Sequence, residues 1–260
     1  MDECDLGSVG LAPRPVATTS TYRELLPPPS WRHAVYRMWE QRTSDGGAGY
    51  PQRVLPDGHA DILVFDDGRA ELVGPATGTE IPVLRPGSTV RGMRLVSDGV
   101  RAVLGVPAWE LTDRTVPLPQ LVTGPTARAL VDAIGARDAR AQATVAGWLA
   151  GAEPDARVAE ATRVLWRHSG LDVSAVADLV GLSPRQLRRA LLADVGLGPK
   201  TFQRIGRLQR FLALARAGGV GGLAELAAHA GYADQPHLTR EAQALAGLTP
   251  VELLAEQLAE

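Results

Sequence analysis

Cysteine is almost missing from this chain: Cys4 is the only one in 260 residues. No disulfide can form within the chain, and a zinc site built from two to four thiolates is excluded. Lysine is almost missing as well, with Lys200 alone among 27 basic residues. Arginine, alanine and glycine are abundant instead, the bias of a high-GC bacterial coding sequence. No apolar run approaches the roughly 18 residues that span a bilayer. Residues 1–20 carry early acids and no continuous apolar stretch, so they do not read as a signal peptide. The expectation is a cytoplasmic protein with no membrane partner. A net charge of −2 argues against a general nucleic-acid binder, so where the charges lie matters more than their sum.

What is present fits two modest soluble domains. Residues 1–20 are polar, contain proline and lack periodicity, and read as a disordered tail. Residues 21–124 read as a β-rich domain. Ala60 to Phe65 is a strand, Asp66-Asp67-Gly68-Arg69 a hairpin turn, and Ala70 to Val73 the return strand. Shorter strands are expected at 80–84 and 89–96, and residues 31–40 fit a strand or a short helix. Strands at this spacing predict a small β-sandwich or barrel of cupin-like type. Asp98 is placed to cap a short helix ending at Leu104. Residues 125–155 show two helical stripes, Ala127, Leu130, Val131 and Ile134, then Ala141, Val145, Trp148 and Leu149. They read as a helical linker or dimerisation region. From 156 to 260 the pattern is helical throughout, which makes the whole an α+β chain.

The helical part holds two similar units. In the first, at 173–192, Ala177 allows close helix approach and Gly181 sits four residues on, where a tight turn favours positive φ. Ser183 is a good N-cap and also a candidate DNA contact, and Pro184 is a good first residue. Leu187 and Leu191 face inward, which leaves Arg185, Gln186, Arg188 and Arg189 outward. Such a helix start suits major-groove reading, because arginine can bond guanine twice and glutamine can pair with adenine. The second unit, at 223–242, repeats the spacing with Ala227 and Gly231. Asp234 is its N-cap, and Gln235, His237, Thr239 and Arg240 are its outward candidates. Counted from the glycine, its turn is one residue longer. A helix over 199–217 joins the units, and at 1.5 Å per residue it spans about 28 Å. Successive major-groove faces lie roughly 34 Å apart, so one chain can address both. Residues 185–216 hold eight basic residues, Lys200 and Arg204 among them, and one acid, Asp194. That segment suits phosphate contact.

The stretch from about 158 to 255 resembles the DNA-binding domain of the AraC/XylS regulators. Val176 to Leu187 carries the resemblance, together with the runs Gly231-Tyr232-Ala233-Asp234-Gln235 and Gly247-Leu248-Thr249-Pro250. It implies a bilobed helical domain that binds double-stranded DNA, a homodimer, RNA polymerase as a partner and a small-molecule effector. The sequence departs from the family where Leu191, Leu238 and Ala242 replace aromatics and where Leu192 and Gln243 replace basic residues. The N-terminal half resembles an uncharacterised domain that precedes this module in actinobacterial regulators. Leu55 to Asp61, Gly74-Pro75, Gly92-Met93-Arg94, Leu104 to Pro107 and Glu110-Leu111 carry that resemblance.

For an effector, the candidate ligand-binding residues are Trp39, Asp57, His59, Asp61 and Arg94. His59 and Asp61 alternate along a strand and share a face, but a third metal ligand is lacking, so no metal and no cofactor is expected. The plainer reading gives Asp57 a turn to cap and His59 a hydrogen bond. Arg94 either binds an anion or pairs with Asp61. Trp31, Trp39 and Phe65 line a pocket or fill the core. No nucleophile–base pair stands out and Cys4 cannot alone build an alkyl-acceptor site, so the chain does not read as an enzyme. The competing class is a ligand-independent interaction protein whose DNA binding is weakened at positions 192 and 243.

Overall fold

In a computed structural model of the chain, residues 18–122, 124–168, 170–218 and 221–258 are described. Cys4 and most of the expected tail, residues 1–17, lie outside them. Eight strands come first: β1 Ser20–Leu25, β2 Val35–Thr43, β3 Tyr50–Pro51, β4 Asp61–Phe65, β5 Ala70–Val73, β6 Val83–Leu84, β7 Thr89–Leu95 and β8 Thr115–Pro117. Six form one antiparallel sheet in the order β1-β2-β7-β4-β5-β8, and β3 pairs with β6 in a small ribbon. The β-rich expectation thus takes the form of one wide sheet with a ribbon beside it. The hairpin turn falls at 66–69, with Gly68 at φ +81° and Phe65 N–H bonded to Arg69 O at 2.9 Å.

Register explains which face is covered. The row Met38, Met93, Ile62, Leu72 and Val116 crosses five strands through consecutive pairings. Strand side chains alternate between faces, so this row makes one continuous apolar surface. The helices α1 Val100–Leu104, α2 Gly124–Gly135 and α3 Ala139–Leu149 belong to the same core. Leu130, Ile134, Val145 and Leu149 are buried in it, as are Trp31 and Leu118. The stripes over 125–155 are therefore part of the chain's own N-terminal core. Trp31 is core, whereas Phe65 lies beneath the Arg69 guanidinium, 4.0 Å from the ring centre.

The first core ends at Ala152 and a second begins at Val158. That second core belongs to seven helices: α4 Ala156–Arg167, α5 Val173–Leu179, α6 Pro184–Asp194, α7 Pro199–Arg216, α8 Leu223–Ala230, α9 Gln235–Ala246 and α10 Pro250–Leu258. A sheet-rich N-terminal domain and a helical C-terminal domain result. No helix among the described residues is long and apolar enough to cross a membrane.

One expected cap is corrected. Gly99, not Asp98, is the N-cap of α1, and no side chain caps that helix. Asp98 is instead half-buried in a cleft it shares with Arg101, Glu153, Asp155 and Asp194. Burial pushes its carboxyl above the usual range, and the negative charge of Asp194 adds to the push. An acid whose pKa is higher folded than unfolded binds more protons when folded. Its destabilising effect is complete above the folded pKa and disappears as pH falls to the unfolded value of about 3.9. Asp98→Asn will therefore melt above the parent at pH 7, and the gap will close on acidification toward pH ~4. Thermal denaturation over that range checks it. A variant that melts below the parent at pH 7 would contradict the account.

Candidate nucleic-acid interface

Both helical units turn on the same two hydrogen bonds. In the first, Gly181 N–H bonds Asp178 O at 3.1 Å and Leu182 N–H bonds Ala177 O at 2.9 Å. In the second, Gly231 N–H bonds Ala228 O at 3.0 Å and Tyr232 N–H bonds Ala227 O at 2.9 Å. The two glycines stand at φ +67° and +93°, the left-handed conformation that such helix ends require and that glycine adopts without strain. Ala177 and Ala227 are fully buried, as close helix crossing demands. The extra residue between Gly231 and Asp234 is absorbed by α8, which runs up to its glycine while α5 stops one residue short, with Val180 before Gly181. Four residues then separate the helices in both units.

The N-caps fall as expected. Ser183 Oγ accepts from Gln186 N–H, and Gln186 Oε1 accepts from Ser183 N–H at 2.9 Å, a capping box. Asp234 Oδ1 accepts from His237 N–H at 2.6 Å. The capping box revises the expected role of Gln186. Its amide oxygen also receives the Ser183 hydroxyl at 2.8 Å, and a bidentate pairing with adenine needs that oxygen together with the amide nitrogen. Ser183 and Gln186 therefore hold the helix start. Leu187 and Leu191 are fully buried, while Arg185, Arg188 and Arg189 are exposed and have no acidic partner among the described residues.

The second unit presents less charge. Gln235 and Arg240 are exposed. Thr239 is half-buried and donates its hydroxyl to Gln235 O at 3.0 Å. His237, expected to face outward, is turned inward. Its Nδ1 accepts from Ala233 N–H at 3.3 Å, its ring meets Tyr232 edge-on at 5.3 Å, and its Nε2 lies 3.7 Å from Glu241. Glu241 is the hub. Only 10% of its side chain is exposed, and it pairs with Arg204 at 2.8 Å and Arg207 at 3.1 Å.

The linking helix is eighteen residues long, Pro199–Arg216, about 27 Å. Its charge is divided. Lys200 is exposed near the start. Arg204, expected at phosphate, is tied to Glu241 and its side chain is 38% exposed. Arg210 donates to the carbonyls of Trp166, Arg167 and Ala230, where it offsets the negative ends of α4 and α8. The basic segment is thus partly a scaffold, and its outward charge concentrates on α6. An acid four residues beyond His237 in α9 was a visible signal of this pairing.

The five candidate effector residues divide four to one. Gly92 lies opposite Trp39, and a Cβ there would come 2.0 Å from the indole. The absent side chain lets Trp39 lie across β7 and donate to Asp61 at 2.6 Å. Arg94 then binds Asp61 at 3.2 Å and Asp57 at 3.1 Å. Burial pushes the Asp61 carboxyl up against the pull of Arg94. Burial likewise opposes the Arg94 charge, but Asp61 and Asp57 hold its pKa above the ordinary value. His59 stands apart: its backbone N–H caps onto Asp57, its Nδ1 meets Leu95 O at 2.8 Å, and its ring stacks on Tyr36. These groups satisfy one another, so the plainer reading of Asp57, His59 and Arg94 describes them. Among the described residues no group of His, Cys, Asp and Glu could hold a metal ion.

Two like helix-turn-helix units behind a separate sheet domain define a DNA-binding protein with an N-terminal accessory domain. Residues 176–256 match the family described as a helix-turn-helix domain. Residues 23–117 match a domain of unknown function, DUF6597. Among solved structures, the chain is similar to the C-terminal domain of AraT, a response regulator from Geobacillus stearothermophilus. The identity is 20%, with 39% of this chain and 86% of that one covered and a TM-score of 0.37. ToxT from Vibrio cholerae O395 is similar over 94% of this chain and 99% of its own, at 8% identity and a TM-score of 0.45. Unsaturated fatty acid-bound ToxT from strain SCE256 is similar over 92% and 95%, at 10% identity and a TM-score of 0.40. No curated protein matches the chain.

Proposed function

We propose that this chain is a sequence-specific transcription regulator, a binding protein and not an enzyme, that places α6 and α9 in adjacent major grooves of double-stranded DNA. One observation carries the reading: Arg185, Arg188 and Arg189 stand exposed on a helix start that a capping box holds in place. In this proposal it works in the cytoplasm as a homodimer, contacts RNA polymerase, and answers a small-molecule effector through the N-terminal domain. An effector that prefers one arrangement of the two domains would shift operator affinity.

A second reading, an interaction protein with weakened DNA binding, draws on α9, where Glu241 engages Arg204 and Arg207. One titration separates the two. The purified chain is expected to shift the DNA upstream of its own gene at low salt, and failure with and without cell extract would favour the second reading. Arg188→Ala is expected to weaken binding unequally across variant half-sites. Equal weakening at every sequence would place Arg188 on phosphate alone.

A further inference from the structure

The N-terminal domain grips both recognition helices by their C-terminal ends. At the end of α6, Arg101 pairs with Asp194 at 2.5 Å and the Thr112 hydroxyl donates to Gly196 O at 2.8 Å. Gly196 lies so close that a Cβ would come 2.6 Å from Thr112 Oγ1 and 3.0 Å from Ala108 O. At the end of α9, Arg53 donates to Ala246 O at 3.0 Å and pairs with Glu256 of α10 at 2.7 Å. The Thr79 hydroxyl donates to Leu245 O at 3.0 Å. Between these points Gln209 of α7 donates to Pro56 O at 2.8 Å, and Gly58 packs on Phe202.

We propose that the N-terminal domain is a brace that sets the separation of the two recognition helices, with Arg101 and Thr112 as positioning residues for one and Arg53 and Thr79 for the other. Last-turn carbonyls of a helix lack partners within it, so the donors to Leu245 O and Ala246 O fix where α9 ends, and the bonds to Asp194 and to Gly196 O fix the residues that close α6. Arginine there also complements the helix dipole. The grip comes from behind: Arg185, Arg188, Arg189 and Arg240 remain exposed with the N-terminal domain in place. The brace therefore leaves the reading surface open and acts on spacing. Two linked half-site contacts gain from each other only when both can be made at once, so spacing is where specificity is gained or forfeited.

The proposal rests on the DNA-binding reading, and its test separates the two. Nitroxide labels at Ala175→Cys and Ala228→Cys, in a Cys4→Ser background, report the distance between the units without DNA. The parent should give one narrow distribution. Arg53→Ala with Arg101→Ala should broaden it, and so should the near-isosteric pair Thr79→Val with Thr112→Val, which guards against simple misfolding. Thr79→Ser with Thr112→Ser keeps both hydroxyls and should restore the parent width.

On duplexes from selection with the full chain, the braced protein should prefer one half-site spacing. The broadened variants should lose about tenfold at that spacing and keep the parent affinity for a single half-site. A parent that binds no duplex sinks the DNA-binding reading while the distance widths still judge the brace. Widths unchanged in both disrupted pairs, or an unchanged spacing profile, would overturn the brace.

Discussion

Replacing Arg185, Arg188 and Arg189 together by alanine will lower the affinity of the full chain for its operator by about a hundredfold or more, with the fold intact. All three are exposed, and surface substitutions of this kind change stability by no more than about 0.5 kcal/mol. The loss in binding comes from two sources. A bidentate arginine–guanine pair is worth about 1–3 kcal/mol, and each 1.4 kcal/mol is roughly tenfold in affinity. Arginines at phosphate add counterion release, so the slope of log affinity against log salt will flatten by about 1 for every phosphate no longer neutralised. Fluorescence anisotropy across a salt series measures both, beside a thermal melt of the same protein. A loss under about threefold, too small for even one such pair, would mean that α6 is a solvated face and nothing more.

The second large effect lies inside the protein. Glu241→Ala will destabilise the C-terminal domain by about 3 kcal/mol, because it removes the carboxylate of a largely buried ion pair. The Arg207 side chain is only 13% exposed, and Arg204 and His237 lose the same partner. Urea denaturation followed by circular dichroism gives the number. Glu241→Gln keeps an acceptor and loses the charge, so its cost will be smaller. It also releases positive charge between the two units, and the salt dependence of DNA binding will steepen. A variant as stable as the parent would show that the hub is dispensable.

Local chemistry made much of this legible in the sequence. Ala177 with Gly181, and Ala227 with Gly231, announce two helix ends because only a small residue and a positive-φ residue fit there. Ser183 and Asp234 announce caps because short polar side chains reach back to the free N–H groups of a helix start. Asp66 to Arg69 announces a hairpin for equally local reasons. What could not be read joins distant parts of the chain. Arg204 and Arg207 counted as outward charge until α7 and α9 came together. Gln186 looked free because its exchange with Ser183 and its pairing with a base call for the same side chain. The grip of Arg53 on Ala246 joins residues 193 positions apart, and no periodicity encodes that. Gly99 rather than Asp98 starts α1 because Asp98 is held in a cleft between domains.

The six-stranded sheet ends in two unequal edges. β8 is three residues long and closes with Pro117, which has no N–H to offer an incoming strand. β1 carries Arg23 and Glu24, and Arg23 is drawn to the buried Glu40 of the neighbouring strand. Charge and proline are how natural sheets refuse an added strand. Self-association that extends the sheet, the first step toward fibres, is therefore resisted at either end.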